Sequence, residues 1–278
     1  MPKVTKLKPR SKRVSKKSLK GIAGRIRSVS DTFGGIKLLL YGQSKTGKTR
    51  LACTFPKPLL LIGVAGYGIE RGTKSVSNVK GVDFVGLERT EELETLIKLD
   101  YASFVLDTAG GLQERVVNEY TQHEATVRKD WRHVSKSDWG PINSKTMEVL
   151  QLLLNLADSE KKSIIIIAHE RAFNTDSESD LLIPHVGAAL TPGVASWLDG
   201  ASDYIGQCYK REETRKETIT VGDEEVVQHV PTGKIQYCLR VGEDPVYKTG
   251  FRVPVGTVLP DAIVNPTFSK LKELMKGA

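Results

Sequence analysis

Residues 42–49 read Gly42-Gln43-Ser44-Lys45-Thr46-Gly47-Lys48-Thr49, and those types at that spacing suit the holding of a triphosphate. Gly42 and Gly47 let the backbone wrap closely, so that successive N–H groups point inward at an anion. Lys48 puts an ammonium between the outer two phosphates, and the Thr49 hydroxyl is a ligand for Mg2+. The loop follows Leu-Leu-Leu-Tyr41 and precedes Arg50-Leu-Ala-Cys53, the strand and helix that it must join. All eight residues are therefore expected to bind the phosphates of ATP, with Mg2+ as the companion ion.

Such a loop needs an acid at the tip of a buried strand, to hold Mg2+ through water. Phe104-Val-Leu-Asp107 supplies three apolar residues and then one carboxylate, so Asp107 is expected to share the metal with Thr49. Thr108 follows, not Glu, so the carboxylate that activates water has to come from elsewhere. Glu70, just past the second strand candidate, is a carboxylate that could orient and deprotonate that water. Read blandly, it is a solvated loop charge, and Glu114 is the second candidate. His169, ending the apolar run Ile164–Ala168, stands where a polar group can report the state of the γ-phosphate; the alternative is a structural histidine. No second His follows four residues later, which excludes a zinc protease reading of His169-Glu170. The chain also lacks the Asn-Lys-x-Asp motif that reads guanine.

These residues require a scaffold of buried strands. Apolar runs at Ile36–Tyr41, Pro58–Gly63, Val82–Leu87, Ala102–Asp107, Ser163–His169 and Tyr204–Tyr209 show little polar alternation, the mark of strands covered on both faces. Helices are expected over Lys48–Phe55, Glu91–Leu99, Gly111–Val127 and Pro141–Leu156. The alternation predicts an α/β fold of three layers around a mostly parallel sheet. Two strand candidates stand between the loop strand and the acid strand, an insertion that suits the branch in which an extra strand divides the two. From about residue 205 to 255 the pattern turns antiparallel, over Glu217–Val230, Lys234–Val241 and Val246–Val253, with turns at Val221-Gly-Asp and Pro231-Thr-Gly. A helix over Thr267–Met275 closes the chain.

Charge is placed unevenly. Of the 41 Lys and Arg, eleven fall in residues 1–28 with no acid among them, which leaves 30 basic against 33 acidic residues in the rest. The net charge of +8 thus belongs to a tail, and residues 1–30 are expected to be a disordered basic arm ahead of one domain over 31–278. The arm suits a nucleic acid, an anionic surface or solubility alone. Cys53, Cys208 and Cys238 are odd in number and widely spaced, and read as reduced thiols rather than a disulfide framework. No apolar run approaches the roughly 20 residues that span a bilayer, and no secretory signal opens the chain. A cytoplasmic protein with no membrane partner is the expectation.

With these residues in view, the chain resembles the phage-encoded RecA-like ATPases, some of which act in single-strand annealing or recombination. YGQSKTGKT, IERGTKSV, FVLDTAG, IIIIAHER, IPHVGAALTPGVASWLD and KTGFRVP carry the likeness, over about residues 34–265. The resemblance implies that Lys48 and Thr49 bind phosphate and Mg2+, that Asp107 is the Walker B acid and Glu70 the base, and that His169 is the sensor. It implies a DNA-contacting loop over 172–189, and that Lys248 and Arg252 reach across a subunit interface toward the neighbour's γ-phosphate. A ring or filament on single-stranded DNA follows from it. A motor, helicase-loader or packaging subunit is the enzymatic alternative, and a nucleotide-gated binding module the other.

Overall fold

The computed structural model describes residues 34–66, 73–127, 133–173, 185–221 and 224–276. In chain order its strands are β1 (Ile36–Tyr41), β2 (Leu59–Val64), β3 (Val82–Leu87), β4 (Ser103–Asp107), β5 (Ser163–Ala168), β6 (Glu170–Phe173), β7 (His185–Ala188), β8 (Tyr204–Val221), β9 (Glu224–Arg240), β10 (Gly250–Phe251) and β11 (Ala262–Val264). Its helices are α1 (Lys48–Ala52), α2 (Leu93–Leu96), α3 (Ala109–Val127), α4 (Trp139–Glu160), α5 (Pro192–Ala201) and α6 (Phe268–Lys276).

Among the described residues, nine strands form one sheet in the order β11-β9-β8-β1-β5-β4-β2-β3, with β10 pairing β8. From β3 across to β8 every pairing is parallel; β8–β9, β9–β11 and β8–β10 are antiparallel. The apolar runs of β1, β2, β4 and β5 are continuous because both faces are covered, whereas β3, expected to be covered likewise, lies at the sheet edge with Asp83 and Phe84 exposed. Leu39, Tyr41, Leu106, Ile164 and Ile166 pack against α3, α4 and α5 on one face. Leu38, Leu40, Val105, Ile165 and Ile167 pack against α1 and α6 on the other. The result is the three-layer, RecA-like arrangement. No helix among the described residues is long and apolar enough to cross a membrane.

The strand that divides the loop strand from the acid strand is β5, which pairs β1 on one side and β4 on the other. The two strands that intervene in sequence, β2 and β3, lie beyond β4 instead. A buried polar cluster fixes the helices over this region: Gln113 Nε2 donates to Thr191 Oγ1 (2.8 Å), and Thr191 Oγ1 donates to Asn143 Oδ1 (2.7 Å). That ties α3, α4 and the start of α5 together.

The late strands are antiparallel, as expected, but their bounds and one turn differ. β8 and β9 form one long hairpin, with Gln207 opposite Arg240 at its base and Val221 opposite Glu224 near its tip. Pro231-Thr-Gly is a bulge within β9, not a turn between strands. Thr214 pairs Pro231 and Glu212 pairs Ile235, so Glu213 alone faces Thr232, Gly233 and Lys234. Pro231 has no N–H for the ladder. Gly233 takes a φ of 76°, its N–H donates to Glu212 Oε1 at 2.9 Å, and Thr232 Oγ1 donates to Glu213 Oε2 at 3.0 Å. Of Val246–Val253 only Gly250–Phe251 is a strand, and β11 carries no alternation in sequence that marks it out.

Candidate functional site

β1 ends at Tyr41, and the loop that follows is shaped by two glycines that nothing larger could replace without strain. Gly42 has a φ of 149°, and a Cβ built on it would lie 2.2 Å from the Cys208 carbonyl oxygen on β8. Gly47 has a φ of 88° and immediately precedes α1. Between them Gln43, Ser44 and Lys45 are exposed, whereas Thr46 is buried and donates from Oγ1 to the Gln43 carbonyl at 2.8 Å. That bond holds the loop closed on itself.

Lys48 points into the loop it follows. Only 6% exposed, it donates from Nζ to the Gly42 carbonyl at 2.8 Å and to the Gln43 carbonyl at 2.6 Å. Burial lowers its pKa, while Cys208, Asp107 and Glu170 oppose the shift. Thr49 Oγ1 donates to Asp107 Oδ2 at 2.7 Å, joining the start of α1 to the tip of β4. Burial raises the Asp107 pKa, against the Thr49 hydrogen bond and the charges of Lys48 and His169. His169, just past β5, has its pKa lowered by burial and by Lys48, with Asp107 opposing. Lys48, Thr49, Asp107 and His169 therefore sit in one electrostatic neighbourhood, at the same end of three adjacent parallel strands.

Glu170, which sequence reasoning left without a role, belongs to this neighbourhood, since its charge bears on both Lys48 and Tyr41. Its Oε2 accepts from Gln207 Nε2 (3.2 Å), Gln207 Oε1 accepts from Arg240 Nε (3.2 Å), and Arg240 is paired with Asp244. The Arg240 guanidinium stacks over Tyr209 and Tyr247. Gln207 is buried, so this chain of bonds satisfies polar atoms that the fold would otherwise strand. A polar residue inside the apolar start of β8 is the signal that sequence offered for it.

Other expected residues are more distant, or lie outside the description. Glu70 falls outside the described residues, as do 174–184 of the expected DNA-contacting loop and the basic tail. Arg115 Nη2 donates to the Ala65 carbonyl at 2.7 Å, which fixes the chain just before the segment that carries Glu70. Glu114 is exposed on α3. Lys248 donates its N–H to the Val186 carbonyl at 2.9 Å, and Tyr41 Oη, at the end of β1, donates to that same carbonyl. Arg252 is held by Asp203 (2.8 Å) and the Gly200 carbonyl (3.2 Å). Asp203 in turn donates its N–H to the Lys37 carbonyl, so Arg252 stands at the end of β1 opposite the loop.

The donor set fits a phosphate–Mg2+ pair. Among the described residues no group of three His, Cys, Asp or Glu gathers as a metal cage. One hydroxyl, one carboxylate and an ammonium are what remains, and Mg2+ is held in that way, by one or two carboxylates, waters and substrate phosphates. Strand order, loop and acid together define a P-loop NTPase domain. The AAA domain family AAA_24 matches residues 34–241, and the chain belongs to that family. Comparison with curated proteins finds no match. Among solved structures, a KaiC-like protein from the hyperthermophilic archaeon Pyrococcus horikoshii is similar at 12% identity and a TM-score of 0.37, over 84% of this chain and 91% of that one.

Proposed function

We propose that this chain is a Mg2+-dependent ATPase that works on single-stranded DNA as a self-associating RecA-like protein of the phage recombination and annealing type. The hydrogen bond from Thr49 to Asp107, beside the buried ammonium of Lys48, carries the nucleotide half of that reading. Lys48, now bonded to the Gly42 and Gln43 carbonyls, would meet phosphate oxygens. Thr49 and Asp107 would hold a Mg2+ that, when bound, would neutralise charge on the phosphates. On the motif resemblance, water is activated by Glu70 and His169 senses the γ-phosphate. Lys248 and Arg252 act on a neighbouring protomer.

The DNA half rests on the eleven cations of residues 1–28, which suit sequence-independent binding to a phosphate backbone, and on the motif resemblance. ATP turnover measured against rising single-stranded DNA tests it. Stimulation by DNA is expected. Turnover indifferent to DNA points to a motor or loader subunit, and tight ATP binding without turnover to a nucleotide-gated module.

A further inference from the structure

A cavity of about 220 Å3 opens beside the phosphate loop. Thr46 and Gly47 form one wall, Arg50, Leu51 and Thr54 of the α1 side the floor, and Tyr237 with Asn265-Pro266-Thr267 the far side. That volume is below the roughly 300 Å3 at which pockets for whole drug-sized ligands begin. It suits part of a ligand whose remainder lies elsewhere, and the loop it shares is where phosphates would lie.

We infer that this cavity receives the base of the nucleotide whose phosphates sit on residues 42–49, with Tyr237 as its stacking face. The inference rests on the triphosphate reading of that loop. Arg50, Leu51 and Thr54, which follow Lys48 and Thr49 in the chain, line the cavity, so it adjoins the residues that would hold the phosphates. Tyr237 is half-buried and meets the loop directly, because a Cβ built on Gly47 would lie 3.1 Å from its Cδ1. The walls are mainly apolar, as a planar ring requires.

The far side is built, not draped. Asn265 donates its N–H to the Tyr237 carbonyl at 2.6 Å, and Phe268 donates its N–H to Thr54 Oγ1 at 2.8 Å. Lys270 Nζ donates to the Val264 and Asn265 carbonyls at 2.7 and 3.2 Å. The rings of Phe55 and Phe268 pack at 4.7 Å. Residues 265–267 are thus clamped to α1 and β9 before any base arrives, which lowers the ordering cost of binding.

Calorimetric titration of the full chain with ATP and with tripolyphosphate, both with Mg2+, tests the assignment. ATP is expected to bind at least about tenfold more tightly than tripolyphosphate, in keeping with the worth of one base–aromatic stack. Tyr237→Ala should weaken ATP about tenfold and leave tripolyphosphate unchanged, and Tyr237→Phe should restore ATP. Equal affinity of the wild-type protein for the two ligands would overturn the inference without any variant having to fold. So would a Tyr237→Ala protein that weakens both ligands equally, or neither. Wild-type protein that binds neither ligand would overturn the triphosphate reading itself.

Discussion

Thr49 Oγ1 and Asp107 Oδ2 meet at 2.7 Å although 58 residues separate them. The contact crosses the sheet above β5, which holds β1 and β4 apart and yet ends level with both: Tyr41 pairs Ala168, and Asp107 pairs Ile167. A carboxylate at a buried strand tip is costly unless its charge is answered. Thr49, Lys48 and His169 all answer it. These three groups oppose the rise that burial imposes on the carboxyl pKa, which still lies above its ordinary value.

Asp107→Asn keeps the shape and the acceptor for Thr49 but removes the charge. ATP affinity without Mg2+ should change little, while the gain on adding Mg2+ should shrink about 10–100-fold, the usual loss when a partner just outside a metal's ligands is removed. Nucleotide titrations with and without the ion measure the difference. An undiminished Mg2+ effect would take Asp107 out of the metal site.

His169 gives a pH signature whose sign is fixed. Its folded pKa lies below the ordinary value, chiefly through burial, whereas the unfolded chain protonates near about 6.5. The unfolded state therefore binds more protons below that pH, and stability rises with pH there. The contribution of the neutral ring is full above about 6.5 and is lost as pH falls through the folded value. Melting temperatures between pH 5.5 and 7 should fall more steeply with acid for the wild type than for His169→Gln. Parallel profiles would mean that the ring is not held neutral.

Gly42→Ala tests how tightly β8 closes on the loop. The new methyl would meet the Cys208 carbonyl at 2.2 Å, a backbone atom that cannot swing aside, at a φ of 149°. Overpacking of this kind costs about 1–3 kcal/mol, read as a lowered midpoint in denaturant, and nucleotide binding should fall with it. An unaltered midpoint would mean that β8 yields.

The loop was legible because its chemistry dictates its neighbours. A triphosphate cradle must join a buried strand to a helix, and Ile36–Tyr41 and Lys48–Ala52 are both where the motif requires them. The continuous Ile and Leu of β1, β2 and β5 announced cover on both faces. What stayed hidden is lateral order. Nothing along the chain says that β5, which begins at Ser163, far beyond the end of β1 at Tyr41, slips between β1 and β4. The cavity at Tyr237 was hidden for the same reason, being assembled from residues 46–54, 208, 237 and 265–267. Pro231-Thr-Gly misled because the residues that make a turn also make a bulge, and only the partner strand decides which.

Three carboxylates, Glu70, Glu170 and Glu114, compete for the role of base. Glu170 is the one that the described structure brings near Lys48, yet its Oε2 is engaged by Gln207. Glu70→Gln should therefore keep ATP binding and slow turnover about 10^2–10^4-fold, the usual worth of a positioned base, and Glu170→Gln should leave most turnover intact. Steady-state rates of the two variants decide between them. The reverse pattern assigns the base to Glu170, and an unchanged rate in both passes the role to Glu114.

Removal of residues 1–28 isolates the tail from the nucleotide site. The eleven cations lost leave a body with 30 basic and 33 acidic residues, so any attraction to a polyanion has to come from local patches. Each cation that engages single-stranded DNA adds about 0.7 to the slope of log affinity against log salt. The truncated chain should bind DNA more weakly and with a slope shallower by several such steps, while ATP affinity measured without DNA stays as it was. Affinities across a salt series, taken on both proteins, give the slopes directly. An equal slope would leave the tail without a phosphate contact, and DNA recognition would then have to reside in the folded body alone.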